Sequence, residues 1–105
     1  NIVHQEIDIT NWKANQKNSG CLPQERAWLD MVFNELNCVD VFRQINQEKQ
    51  QYTWWSNRGN AWANNVGWRI DYQICNSNFK RQVLKTSIYK DERFSDHAPL
   101  IMTYD

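Results

Sequence analysis

An α+β fold is predicted by three observations. The chain has 105 residues, the size of one domain or one piece of a larger one. A single stretch, beginning at Pro23, repeats apolar residues at helical spacing. From Tyr52 onward, β-prone runs alternate with Asn- and Ser-rich turns. One clear helix plus several strands fits α+β or part of a layered sandwich, and residues 1–105 are read as one unit.

Asn1-Ile2-Val3 reads as the tail of a strand that began earlier, and the chain opens inside an apolar extended pattern without a start methionine. A fragment of a longer protein is therefore expected. Residues 4–22 form a polar, Asn-rich loop ending near Gly20, too long for a mere connector; loops of that length usually carry function. Pro23 suits a first helical turn, and Gln24, Glu25 and Arg26 follow as helix formers. Trp28, Met31, Val32, Glu35 and Leu36 give the helical stripe, with Trp28 and Met31 expected in the core. Asn37 is a plausible left-handed stop. Val39 to Phe42 reads as a short extended piece, Tyr52 to Ser56 as a strand, 57–65 as a loop and Val66 to Cys75 as a strand. After a turn at Asn76-Ser77-Asn78, Val83-Leu84 with Ser87 to Tyr89 suggests another strand, and Leu100 to Tyr104 the last.

Acidic and basic residues balance at 12 each, so total charge names no partner, although Lys80 to Arg93 is locally basic. No apolar run approaches the ~20 residues that cross a bilayer, so no membrane partner is expected. Cys21, Cys38 and Cys75 are odd in number and lack metal-ligand spacing; they read as reduced thiols of a cytoplasmic protein. Six tryptophans and abundant asparagine suit a surface that reads sugars, bases or phosphates, and equally an ordinary core with long polar loops.

Three polar clusters stand beside apolar strands: Asn1 with His4, Asp71 within WRIDYQI, and Asp96-His97 within RFSDHAPL. For Asp96-His97 the bland reading is a turn before Pro99. For Asp71 it is a solvated strand face shared with Arg69 and Gln73, including an Arg–Asp pair worth little. The functional reading is that Asp71 orients His97, fixing its tautomer and raising the basicity of the other ring nitrogen. Asp96 beside it suits Mg²⁺, which prefers oxygen ligands and keeps several waters. Asp71, Asp96, His97 and Asn1 together make a sensible set for hydrolysing a phosphodiester.

Five stretches in order carry a specific resemblance: NIVHQEIDI, NWKANQKNSG followed by PQERAW, YTWW, NNVGWRIDY and SDHAPL. Across essentially the whole chain they resemble the second half of the exonuclease III family of class II AP endonucleases, within the endonuclease/exonuclease/phosphatase superfamily. The resemblance implies the C-terminal half of a four-layer α/β sandwich, here one mixed β-sheet with a flanking helix. It implies a Mg²⁺-dependent DNA-repair phosphodiesterase, with Mn²⁺ as a possible substitute, that has 3′–5′ exonuclease and abasic-site endonuclease activity. Its partner would be double-stranded DNA with abasic sites or 3′ ends.

By the same resemblance, Asn1 orients the attacked phosphate, Asp71 partners the catalytic His97, and Asp96 is a metal carboxylate. Asn11, Asn15 and Asn18 match the loop that grips the DNA backbone, and Asn65 falls in a DNA-binding motif. Trp54, Trp68 and Ile70 match the apolar pocket for a flipped abasic sugar, from which a normal nucleotide is excluded by its base. His4 is expected to make a structural hydrogen bond. Cys21 stands where the family usually has Phe. The family's water-activating aspartate and the rest of its metal ligands would precede residue 1, so the isolated chain is expected to be inactive. The alternative is a non-catalytic DNA-binding or interaction module of the same fold. A half-sandwich should also expose a sheet face, with Ile74, Val83, Ile88, Leu100 and Met102 as candidates, and pair with a second copy.

Overall fold

Pro23 starts the helix α1 (Pro23–Asn34), where its missing N–H costs nothing. Glu25 Oε1 accepts the N–H groups of Gly20 and Leu22 at 2.8 and 3.1 Å, and so caps the entry. Asn37 adopts φ 55°, the left-handed stop expected of it. The helix buries Leu29 and Val32, while Trp28 is 53% and Leu36 58% exposed. The core position expected for Trp28 is therefore corrected. Leu29–Val32 repeats at the same spacing as Trp28–Met31, and periodicity alone cannot choose between adjacent faces. In the computed structural model, which describes residues 1–79 and 81–105, Lys80 of the basic segment lies outside the described residues.

The loop at residues 4–22 is tightly wound, with 3₁₀ turns at Glu6–Asp8 and Lys13–Asn15. His4 fastens it to α1 through a 2.7 Å contact between Nε2 and Asp30 Oδ1. Next come β1 (Cys38–Asp40) and a short helix, α2 (Val41–Ile45). Val41 and Phe42 were expected to be extended; both are helical and fully buried. The Phe42 ring carries the Arg43 and Arg69 guanidinium groups, each 5.3 Å from its centroid, and this packing outweighs β-propensity.

The remaining strands are β2 (Trp54–Trp55), β3 (Gly67–Trp68), β4 (Ile74–Asn76), β5 (Val83–Ile88) and β6 (Leu100–Tyr104). The class is α+β. Among the described residues the strands pair as three antiparallel ladders, β1–β4, β2–β3 and β5–β6, which differs from the single mixed sheet expected. The stretch expected as one strand, Val66 to Cys75, breaks after Trp68 because Arg69 turns inward. Two isolated bridges extend the β2–β3 ladder, Ile9 to Trp68 on one side and Trp54 to His97 on the other. Four segments thus lie edge to edge. Gly67 makes their contact possible: a Cβ there would lie 2.7 Å from Trp55 Nε1 and 2.9 Å from the Trp54 carbonyl oxygen.

Arg69 is 1% exposed, not on the solvated face expected for it. Its Nε meets Asp8 Oδ1 at 2.7 Å, and its two terminal nitrogens donate to Asp40 at 3.1 and 2.6 Å. Arg43 adds a 2.8 Å bond to the same Asp8 oxygen. Burial alone would raise the Asp8 pKa, but the two guanidinium groups hold it below the usual carboxylate range. Arg69 stays firmly charged: burial opposes this and the Asp40 and Asp8 carboxylates overcome it.

Two cores follow the alternation of side chains along β2. Val3, Ile9, Cys21 and Ile70 form one, with Trp12, Trp54 and Trp68 packed on it. Tyr52, Trp55 and Ala98 form the other, with Ala61, Trp62 and Ile88. Of the face expected to be bare, Ile74 is 46% exposed, whereas Val83, Ile88, Leu100 and Met102 are half-buried. Leu84 and Ile101 are the exposed apolar residues of β5 and β6. The three cysteines are free, and among the described residues no helix is long and apolar enough to cross a membrane.

Candidate active site

A cleft of about 400 Å³ opens where the edge of the β2–β3 ladder meets the ends of the chain's first loop. Asn1, Ser19, Gly20, Trp54, Trp68, Ile70, Asp96 and His97 line it. Each wall has a local cause. Val3 N–H donates to Gly20 O at 2.8 Å, which draws the first residues against the loop's end. Gly20 sits at φ 94°, and a Cβ there would lie 3.0 Å from Trp68 Cζ3 and 3.1 Å from Asn1 O. Glycine therefore lets Asn1 and Trp68 approach each other. The Tyr72 hydroxyl, 2.6 Å from Ile2 O, secures the same segment from below, and burial pushes its phenol pKa up.

Opposite stands the Asp96-His97 wall. Ala98 N–H donates to Thr53 O at 2.8 Å and Trp55 N–H to Asp96 O at 3.2 Å, so β2 fixes this turn. His97 Nδ1 lies 2.8 Å from Asp71 Oδ2, with the two side chains about one-third exposed. Asp71 itself is set by Thr53, whose buried hydroxyl oxygen accepts the N–H groups of Ile70 and Asp71 at 3.0 and 3.1 Å. The Trp54 indole N–H donates to Asp96 Oδ2 at 3.0 Å. Trp54 and Trp68 meet edge to face, with centroids 5.6 Å apart and planes at 82°, and with Ile70 they form an apolar wall beside the ionisable groups.

Six of the residues singled out in the sequence thus share one cleft, with Asp71 directly behind His97. Asn11, Asn15, Asn18 and Asn65 do not line it. Asn18 Nδ2 donates to Asn15 Oδ1 at 2.8 Å, Asn15 Nδ2 to Asn11 O at 2.9 Å, and Asn11 stands exposed at φ 59°. The amides of Asn15 and Asn18 brace the loop's own shape. Asn65 accepts from Trp55 Nε1 at 2.9 Å and donates to Gln50 O at 3.3 Å, bonds that build the scaffold. His4 makes its structural bond, to Asp30. Thr53 and Ser19 were not anticipated. A small hydroxyl residue inside the aromatic run YTWW was the available sign for Thr53.

A larger cavity, about 610 Å³, lies elsewhere and is lined by Gln5, Glu6, Ile9, Lys49 and Tyr52 among others. It holds no imidazole and no paired acids. The smaller cleft is where the chemistry-bearing groups converge. Among the described residues no three His, Cys, Asp or Glu side chains gather closely enough to hold a metal ion unaided.

Known proteins share this arrangement of chain. Over 101 residues the sequence is 43% identical to an exodeoxyribonuclease of Bacillus subtilis (strain 168), covering 95% of this chain and 40% of that protein. Over 103 residues it is 36% identical to the DNA repair nuclease APEX1 of Danio rerio, covering 97% of this chain and 33% of the relative. Among solved structures, the AP endonuclease LMAP of Leishmania major superposes with a TM-score of 0.84 at 30% identity, over 96% of this chain and 32% of that one. The 3′-5′ exonuclease NExo of Neisseria meningitidis gives 0.86 at 26%, over 100% of this chain and 42% of that one. The chain therefore spans well under half the length of these relatives. Residues 1–97 match the Endonuclease/Exonuclease/phosphatase family over most of the chain, and the protein belongs to that family.

Proposed function

We propose that these residues are the C-terminal part of a cytoplasmic DNA-repair phosphodiesterase that cleaves beside abasic sites and removes nucleotides from 3′ ends. One observation carries the reading: His97 is held by Asp71 at 2.8 Å, on a cleft that also presents Asp96, Asn1 and an aromatic slot. Bonded through Nδ1, His97 keeps Nε2 for the scissile phosphate, and Asp71 sets that tautomer. The Asn1 amide orients a phosphate oxygen. Trp54, Trp68 and Ile70 receive a sugar that lacks its base, a body small and apolar enough for the slot. Asn11, Asn15, Asn18 and Asn65 support the DNA-facing loops. The relatives' names support the substrate class.

The donor set suits a hard cation in part. Asp96 offers a carboxylate and Asn1 an amide oxygen on the same cleft, chemistry that matches Mg²⁺ or Mn²⁺ with retained waters. Bound there, such an ion would neutralise charge developing on the phosphate oxygens. The remaining ligands would come from residues beyond this chain.

A gel assay on a duplex with one abasic site tests this. The full-length protein should incise it with a divalent cation present. Residues 1–105 alone should not, because nucleophile activation and metal clamping each contribute factors of ~10² or more. Incision by the purified 1–105 chain would overturn the division of labour. A full-length protein that binds the duplex without ever cutting it would favour a non-catalytic DNA-binding module.

A further inference from the structure

We propose that Trp54 is a positioning residue for Asp96, so that the aromatic wall of the cleft and its acid behave as one unit. This rests on the reading of Asp96 as a ligand to a divalent cation. An indole N–H can only donate, and a half-buried one needs an acceptor. Here that acceptor is Asp96 Oδ2, at 3.0 Å. A carboxylate turns in a broad two-fold well, so without a partner it samples many orientations. With Oδ2 engaged, Oδ1 is the oxygen left for a ligand.

Trp54 is itself well held. Its backbone bridges to His97, and its ring meets Trp68 edge to face at 5.6 Å. Its neighbour Trp55 donates from the backbone to Asp96 O at 3.2 Å. The Trp54-Trp55 pair therefore grips Asp96 at both its main chain and its side chain. A sugar entering beside Trp54 and Trp68 presses on a ring that holds the acid, which links occupancy of the slot to the carboxylate's aim. Phenylalanine at position 54 would serve as an apolar wall but could not donate. Apolarity alone does not account for an indole at this place.

Donors that orient a metal ligand typically matter by 10- to 100-fold in metal affinity. The test is a Mn²⁺ titration followed by electron paramagnetic resonance, on the full-length protein without DNA. Wild type, Trp54→Phe and Asp96→Asn are compared, with thermal unfolding recorded for each. The expected result is weaker Mn²⁺ binding in Asp96→Asn and a dissociation constant raised about 10- to 100-fold in Trp54→Phe, with the protein still folded. If Asp96→Asn weakens binding and Trp54→Phe does not, this proposal is overturned and the proposed metal role of Asp96 stands. If Asp96→Asn leaves Mn²⁺ binding intact, the metal role fails and this proposal with it. A second measurement covers a Trp54→Phe protein that does not fold. In labelled wild type the Trp54 indole N–H should be protected from hydrogen exchange, and Asp96→Ala should remove that protection; unchanged protection would overturn the proposal.

Discussion

His97 and Asp71 are only about one-third exposed, and a 2.8 Å bond joins them. His97→Ala in the full-length protein should lower turnover by roughly 10² or more, since on the proposed reading it removes the group that meets the phosphate. Asp71→Asn should cost less, because the ring remains but its tautomer is no longer enforced. The double variant should resemble His97→Ala alone, as groups that act as a unit are non-additive. Steady-state kcat/KM on an abasic duplex decides the matter. Strict additivity would mean that the two side chains work separately.

At the scale of elements, β2 organises the cleft. Thr53, the residue just before it, is fully buried, and one hydroxyl oxygen accepts two backbone N–H groups, those of Ile70 and Asp71. Thr53→Val keeps the shape and strands both donors. A cost of about 1–3 kcal/mol is expected in urea unfolding, together with a fall in turnover as Asp71 loses its anchor. Unchanged stability would show that water or a neighbour takes over as acceptor. The ladder at β5–β6 behaves differently. Val83, Thr86 and Ile88 pair with Tyr104, Met102 and Leu100, and this face is half-buried, so the apolar side chains that meet water are Leu84 and Ile101.

At the scale of the molecule, Asp8, Arg69, Asp40 and Arg43 tie the first loop, the β1–α2 junction and the segment bearing Asp71 into one buried network. Arg69→Met should cost about 3–5 kcal/mol, because it leaves buried carboxylates short of a partner. Thermal unfolding would show it, and a loss below 1 kcal/mol would mean that water reaches the network freely. The folded Asp8 pKa is depressed, so its contribution is complete above the unfolded value of about 3.9 and fades as pH falls through the lower folded value. Asp8→Asn should therefore flatten the acid limb of a plot of unfolding temperature against pH, and an unaltered limb would contradict the assignment. The exposed Ile74, Phe79, Leu84 and Ile101 also lead us to expect that residues 1–105, expressed alone, self-associate. Light scattering at micromolar concentration should report a dimer or larger species; a monomer stable to dilution would show that these side chains tolerate water.

The sequence by itself determined the kind of fold and singled out most of the residues that line the candidate cleft. Pro23 and Asn37 bound a helix by local backbone preference, and β-prone runs at Trp54, Val83 and Leu100 read as strands for the same reason. The polar groups Asn1, Asp71, Asp96 and His97 were visible because each stands beside an apolar stretch where such groups are uncommon. What only the tertiary structure decided is which face each element buries. Trp28 and Leu29 satisfy the same helical period, and docking chose Leu29. Arg69 fits a solvated strand face by alternation, yet two distant carboxylates draw it inward and end the strand there. Thr53 and the indole N–H of Trp54 acquire their roles only when residues 17 to 42 positions away come within 3.1 Å of them. Local preference is written in neighbouring residues, whereas burial and hydrogen-bond partners depend on chain segments that meet only after folding.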